Sequence, residues 1–265
     1  MKTVRSKDGT IIAYDQVGQG PVVILVSGAL QYSAFDQGMR QLAELLSKHF
    51  TVINYDRRGR GDSTDTQPYA LEREIEDIEA LIDATGGPAS LYGISSGGAL
   101  AMEAAIQLGS KVKKLAIYEV PYNSDPGAMQ AWNKYVNELR ELLAANRKGD
   151  AVALFMKYVG ASAEQVEGVR RQPIWPLFED VAPTLAYDHI AALGEDAAVP
   201  VERATQVLIP TLLVTGSASF PFMYETAKTL SSAIPYSVHR VLDGQTHDVS
   251  AEALAPTLIE FFRDT

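Results

Sequence analysis

Two hydrophobic patterns alternate along the chain. Short strand-like segments, most of them continuously apolar, lie at 22–26, 50–55, 89–94, 112–120, 211–215 and 237–242. Segments with apolar residues at helical spacing lie at 36–48, 69–84, 99–108 and 251–263. A continuous apolar run is typical of a strand that is covered on both faces, as in a parallel sheet. The alternation therefore predicts an α/β fold, with a mostly parallel sheet covered by helices on both faces. A β-hairpin is predicted at 2–17, before the alternation begins.

One long stretch, 122–205, breaks this alternation. Its helical patterns lie at about 126–147, 150–159, 163–171 and 176–193, and no convincing strand interrupts them. We expect an all-helical cap inserted over the carboxyl edge of the sheet. The predicted domains are a core of 1–121 with 206–265, and a cap of 122–205. A minority of the cap's aromatic residues is expected to line an apolar substrate pocket.

Composition and charge narrow the possible partners. The 265 residues carry a formal net charge of −10, which argues against a nucleic acid or an anionic membrane surface as partner. The sequence has no apolar span of 18 residues, so we expect no membrane helix. Residues 1–9 lack the apolar centre of a signal peptide, and we expect a cytoplasmic protein. Cysteine is absent, which excludes disulfides and thiol catalysis.

The sequence Gly93-Ile94-Ser95-Ser96-Gly97 joins a predicted strand directly to a predicted helix. Gly-x-Ser-x-Gly is a short pattern, but here it has the strand before and the helix after that a nucleophile elbow requires. The two glycines leave room for a strained backbone at Ser95, whose hydroxyl would project at the carboxyl edge of the sheet. We interpret Ser95 as a nucleophile.

A serine nucleophile needs a base, and the chain has four histidines. His49 precedes a strand at the opposite edge, and His239 lies within the last strand. His189 lies in the insertion, beside Asp188. Only His247 lies in a loop between the last strand and the last helix, where it can reach over Ser95. We predict His247 as the general base.

Acyl chemistry also needs donors for a developing oxyanion. The backbone N–H of Ser96, at the start of the helix, is predicted as one donor. The N–H of Ala29, which follows the strand at 22–26, is predicted as the other.

The segment Asp56-Arg57-Arg58-Gly59-Arg60-Gly61-Asp62-Ser63 is punctuated by glycine and rich in charge. Its arginines could bind a phosphate. A surface turn with internal ion pairs is the favoured interpretation.

Taken in order, Ser27-Gly28-Ala29, the turn at 56–63, Gly93–Gly97 and Gly244-Gln245-Thr246-His247 resemble the landmarks of the α/β-hydrolase superfamily. The resemblance covers essentially the whole chain, and 122–205 falls where that superfamily carries its cap. Dehalogenases and epoxide hydrolases of the superfamily use an aspartate nucleophile. The serine at position 95 therefore favours acyl chemistry.

The resemblance also exposes a departure. The superfamily's triad acid usually follows the strand at 211–215 in a Gly-x-x-Asp pattern, but this chain has Gly216-Ser217-Ala218-Ser219. Glu119 is the predicted replacement, because it ends the strand beside that of Ser95, where some dehalogenase-like members carry their acid. Asp243, Asp248 or a dyad without an acid remain the alternatives.

These features predict a serine hydrolase that cleaves a carboxylic ester, or a lactone or thioester, of a small apolar or amphipathic substrate. The alternatives are a carbon–carbon bond hydrolase or perhydrolase with the same triad, and a catalytically weak ligand-binding member of the fold. We expect no metal and no cofactor, because the sequence has no zinc-ligand spacing and no phosphate loop. It carries no indication of the oligomeric state.

Overall fold

The computed structural model describes residues 1–34 and 36–263. Its centre is an eight-stranded sheet with the strand order β1-β2-β4-β3-β5-β6-β7-β8. The strands are β1 (Lys2–Arg5), β2 (Ile11–Val17), β3 (Val22–Val26), β4 (Thr51–Tyr55), β5 (Ala89–Ile94), β6 (Val112–Tyr118), β7 (Thr211–Gly216) and β8 (Ser237–Leu242).

The direction of these strands determines where loops meet. The pairs β1–β2 and β2–β4 are antiparallel, while every pair from β4 through β3, β5, β6 and β7 to β8 is parallel. The carboxyl ends of six strands therefore share one edge of the sheet. The predicted, mostly parallel α/β sheet is confirmed.

Helices cover both faces of the sheet. They are α1 (Gln37–Leu46), α2 (Leu71–Ala84), α3 (Ser96–Leu108), α4 (Pro126–Ala144), α5 (Lys148–Tyr158), α6 (Ala163–Arg170), α7 (Trp175–Val181), α8 (Val201–Ala204), α9 (Pro221–Ala233) and α10 (Ala251–Arg263). Strand β3 shows why its sequence is apolar throughout. Val23 and Leu25 face the core formed with α1 and α10, while Ile24 and Val26 face the core formed with α2 and α3. No described helix is long and apolar enough to cross a membrane.

Helices α4 to α7 lie between β6 and β7, as the sequence pattern predicts. The single helix expected at 176–193 is wrong, because this stretch consists of α7, a 3₁₀ turn (Ala182–Thr184) and a π-helical turn (Tyr187–Ala192). Pro183 has no N–H to donate to a carbonyl of the preceding turn, which explains the interruption. The start of α3 at Ser96 also differs from the expected start at residue 99.

Candidate active site

Ser95 joins β5 to α3 in a conformation that L residues rarely adopt. Its φ is 55° and its ψ is −131°. Two backbone hydrogen bonds hold it: its N–H donates to the carbonyl of Tyr118 (3.0 Å), and its carbonyl accepts from the N–H of Gly98 (2.9 Å). The strained backbone expected at this serine is therefore present, at the carboxyl edge of the sheet and the N-terminus of a helix.

The glycines on either side of Ser95 are required by close packing. A Cβ atom on Gly93 would lie 2.5 Å from the carbonyl oxygen of Gly97. A Cβ on Gly97 would lie 2.3 Å from the carbonyl oxygen of Val26 in β3. Both distances are far below any real contact of a Cβ atom, so only glycine lets α3 begin this close to the sheet.

Glu119 and His247 form a direct pair at the same edge. Oε2 of Glu119 lies 2.9 Å from Nδ1 of His247. Glu119 follows the last residue of β6 with a φ of 45°, and its side chain is fully buried. The imidazole remains about one-third exposed. Facing a carboxylate, Nδ1 is the donor, so that Nε2 is the acceptor whenever the ring is neutral.

The loop after β7 holds the carboxylate of Glu119. The N–H of Gly216 donates to Oε1 (2.8 Å), and the hydroxyl of Ser219 donates to Oε2 (2.7 Å). Ser219 occupies the position where the resemblance would place an aspartate. The last residue of β7 and the loop that lacks the acid thus each supply one donor to the carboxylate that follows the neighbouring strand.

The alternative acids do not take this place. Asp243 accepts a hydrogen bond from the Ser217 hydroxyl (3.1 Å). Within the described chain, neither Asp243 nor Asp248 is hydrogen-bonded to the His247 ring.

Ser95 is linked to the Glu119–His247 pair through the backbone of β6. The carbonyl that anchors the N–H of Ser95 belongs to Tyr118, the residue before Glu119. Both Ser95 and His247 are described, and no hydrogen bond joins the serine hydroxyl to the imidazole. Catalytic hydrogen bonds are often long in the absence of substrate, so this arrangement is compatible with a base that engages on binding.

The two predicted oxyanion donors lie beside Ser95. A Cβ on Gly28 would be 3.2 Å from Cβ of Ser95, so the loop after β3 passes directly against it. The N–H of Gly28 is already bonded to Oε1 of Gln31 (2.7 Å). Within residues 1–34 and 36–263, the N–H groups of Ala29 and Ser96 donate to no other protein group.

The arginine turn differs from its prediction. Its three arginines are not on the surface but fully buried. Their partners are also not internal to the turn: Arg57 pairs with Glu74 and Asp188, and Arg58 pairs with Asp77 and Asp8. Ion pairs were correctly favoured over a phosphate site, but their partners lie on other elements.

Arg60 completes this set with a second ion pair to Asp188, in the π-helical turn before β7. Burial alone would raise the pKa of Asp188, but the charges of Arg57 and Arg60 outweigh burial and hold that pKa below its usual value. Sequence reasoning missed this contact, because Asp188 lies 131 positions after Arg57 and belongs to no motif.

Asp188 is followed by a buried histidine. Nδ1 of His189 lies 2.7 Å from the hydroxyl of Tyr135, and the ring packs against Trp132 and Phe155. Burial lowers the pKa of His189 to about 4, although Asp188 acts in the opposite direction. Its neutral ring belongs to the aromatic interior of the insertion. Among the described residues, no group of three or more histidine or acidic side chains is placed to hold a metal ion.

Fold and site together define a hydrolase of the α/β type, and comparison with known proteins identifies the family. The model of the alpha/beta hydrolase family matches residues 23–256. The chain belongs to this family. Among curated relatives, the proline iminopeptidase PfmaB of Pestalotiopsis fici is 29% identical over 115 residues. That match spans 42% of this chain and only 41% of the relative.

Solved structures match over the whole length. An alpha/beta hydrolase from Sphaerobacter thermophilus is 46% identical, with a TM-score of 0.85 over 98% of this chain and 100% of that one. The enol-lactonase from Burkholderia xenovorans has a TM-score of 0.70 at 20% identity, over 99% of this chain and 100% of that one. The second likeness shows a shared fold and no more.

Proposed function

We propose that this protein is a serine hydrolase that cleaves a carboxylic ester, including cyclic and thio esters, of a small apolar or amphipathic molecule. Ser95 is the nucleophile, His247 the general base and Glu119 the acid that orients the base. The backbone N–H groups of Ala29 and Ser96 form the oxyanion hole. In this proposal, residues 122–205 act as a cap on a core made of 1–121 and 206–265.

The observation that carries the proposal is the coincidence of two unusual features at one edge of the sheet. Ser95 has a positive φ, which costs free energy. At the same edge of the sheet, a buried carboxylate is hydrogen-bonded to a partly exposed imidazole. A strained serine and an oriented histidine are the parts that acyl transfer requires.

The reaction follows from these positions. Nε2 of His247 takes the proton of the Ser95 hydroxyl as the oxygen attacks the ester carbonyl. The oxyanion that forms accepts hydrogen bonds from Ala29 and Ser96. His247 then gives its proton to the leaving alcohol, and the acyl group stays on Ser95. A water molecule, activated by the same imidazole, releases the carboxylic acid and restores the serine.

Among the reactions of hydrolases, the serine nucleophile favours acyl transfer over halide displacement. The acyl-enzyme ester that a serine forms is hydrolysed by attack of water on its carbonyl carbon. The enol-lactonase and the proline iminopeptidase named above act, by their names, on a lactone and on a peptide. Both are acyl compounds, which supports acyl transfer as the reaction class without fixing the substrate.

Labelling with a fluorophosphonate probe tests the proposal. The purified protein is expected to be labelled at Ser95, and to hydrolyse p-nitrophenyl acetate. Ser95→Ala should lose both signals. Ser232→Ala is the control, because this exposed serine lies on α9 and bonds only to the backbone of its own helix. A wild-type protein that is neither labelled nor active would instead favour a ligand-binding member of the fold.

A further inference from the structure

Two arginines of the turn at 56–63 donate hydrogen bonds to the loop that carries Ala29. Nη1 of Arg57 donates to the carbonyl of Ser27 (3.1 Å), and Nη1 of Arg60 donates to the carbonyl of Gly28 (2.5 Å). Arg60 also donates to the carbonyl of Gln31 (3.3 Å). The loop contains no regular structure and places Leu30 at a φ of 60°. Within the loop, the N–H of Gly28 donates to the side chain of Gln31 and the hydroxyl of Ser27 donates to the carbonyl of Gln31.

A single carboxylate joins these arginines to the other side of the site. Oδ1 of Asp188 accepts from Nη1 of Arg57 (2.5 Å) and from the hydroxyl of Ser96 (2.8 Å). Its Oδ2 accepts from Nη2 of Arg60. Asp188 is completely inaccessible to solvent. It therefore touches Ser96 directly and reaches the 27–29 loop through two guanidinium groups.

The hydrogen bond to the carbonyl of Gly28 also fixes the direction of the N–H of Ala29. In a trans peptide the C=O and the following N–H point in opposite directions. Because Arg60 holds the carbonyl of Gly28 on one side, the N–H of Ala29 is fixed on the other. The loop passes against Ser95 at Gly28, so rotation of this one peptide would change the direction of the N–H of Ala29 beside the nucleophile.

We infer that Asp188 and Arg60 are positioning residues for the oxyanion hole, an inference that rests on the proposed function of Ala29 and Ser96. Neither side chain touches the reacting atoms. Arg60 sets the Gly28–Ala29 peptide, and Asp188 fixes both Arg60 and Ser96. The insertion between β6 and β7 thus takes part in the chemistry through one buried carboxylate.

The charge balance of the cluster determines which substitutions are informative. Arg57 and Arg60 are matched by Glu74 and Asp188, so the buried group of four is neutral. Removal of one carboxylate leaves an uncompensated buried charge and lowers stability. A test therefore needs a second substitution with the same cost in stability and no contact with the loop.

Asp77 offers that control. It is as buried as Asp188 and accepts two hydrogen bonds of 2.8 Å from Arg58, which belongs to the same turn. In the described chain, neither Asp77 nor Arg58 contacts residues 27–31, Ser95 or Ser96 through a hydrogen bond. Asp188→Asn and Asp77→Asn thus each remove one buried carboxylate charge, one connected to the site and one not.

Steady-state kinetics on p-nitrophenyl acetate, well below the melting temperature of each variant, give the readout. Asp188→Asn is expected to lower kcat about 10- to 100-fold with KM nearly unchanged, because oxyanion stabilisation acts in the transition state. Asp77→Asn should keep kcat within about twofold of wild type. An Asp188→Asn protein with normal kcat, or an equal loss in both variants, would overturn the inference.

A charge-conserving pair covers the case in which Asp188→Asn does not fold. Arg60→Lys keeps the positive charge but cannot reach Gly28, Thr184 and Asp188 at once, as the guanidinium does. Its control is Arg58→Lys. Only Arg60→Lys should lower kcat and the rate of fluorophosphonate labelling. Equal effects of the two lysine variants would refute the inference. Absence of labelling in the wild type would instead refute the proposed function, so the two failures are distinct.

Discussion

Oε2 of Glu119 lies 2.9 Å from Nδ1 of His247, although 128 residues separate the two in the chain. The same oxygen accepts the hydroxyl of Ser219 at 2.7 Å. The histidine therefore faces a carboxylate whose orientation is set by a third residue, on the loop after β7. The carboxylate follows β6, while the end of β7 and the loop after it contribute hydrogen-bond donors.

Glu119→Gln should lower kcat for a p-nitrophenyl ester by about 10²–10⁴-fold with the fold intact, as removal of a triad carboxylate does elsewhere. Glutamine conserves the shape of the side chain but does not stabilise the imidazolium that forms during catalysis. Steady-state kinetics with a thermal melt of each protein provide the measurement. Asp243→Asn is the matched control and should stay active. Undiminished activity of Glu119→Gln would remove the glutamate from the mechanism.

Introducing Ser219→Asp into Glu119→Gln should restore part of the activity. The hydroxyl oxygen of Ser219 lies 2.7 Å from Oε2 of Glu119, the oxygen that is hydrogen-bonded to Nδ1 of His247. A carboxylate placed at position 219 can therefore approach the same nitrogen. The gain is measured as kcat relative to Glu119→Gln alone. Ser217→Asp in the same background is the control, because Ser217 bonds to Asp243 and not to Glu119. Equal kcat in both double variants would contradict this prediction.

Gly93→Ala should destabilise the fold by more than about 2 kcal/mol, since overpacking against a rigid backbone typically costs 1–3 kcal/mol and often more. The new methyl group would collide with the carbonyl of Gly97, which α3 cannot move without losing its contact with β3. Gly168→Ala, in the open on α6, should instead stabilise by about 0.5–1 kcal/mol. Urea unfolding of both variants measures the difference, and equal midpoints would be incompatible with the proposed packing.

Local patterns were sufficient to predict the parts of the site that lie next to regular structure. Ser95 follows a buried strand and precedes a helix, and His247 lies between the last strand and the last helix. Glu119 could be predicted because parallel strands bring their carboxyl ends to one edge. The pairing of Glu119 with His247 confirms that these two residues meet; their catalytic roles stay predictions.

The buried charges could not be predicted in the same way. A sequence pattern shows that Arg57 and Arg60 lie in a turn, but not that a π-helical turn more than 120 residues later delivers Asp188 to them. Nothing local distinguishes a buried arginine from a solvated one, because its partners come from remote elements. The interruption of the helix at 176–193 has a different, local origin in Pro183, which the prediction passed over because apolar periodicity continued through it.

His189 makes stability depend on pH. Its pKa is about 4 in the folded protein and about 6.5 in the unfolded chain, so the unfolded chain takes up the proton first as pH falls. Its neutral form therefore supports folding fully above pH 6.5, and this support is lost between pH 6.5 and 4. The loss amounts to about 3 kcal/mol for a shift of this size.

Urea midpoints measured from pH 7.5 to 4.5 should fall steeply in the wild type and less steeply in His189→Phe, which cannot titrate. His49→Gln is the control, because it removes a histidine from a different part of the chain. The same slope in His189→Phe as in the wild type would show that other groups cause the acid sensitivity.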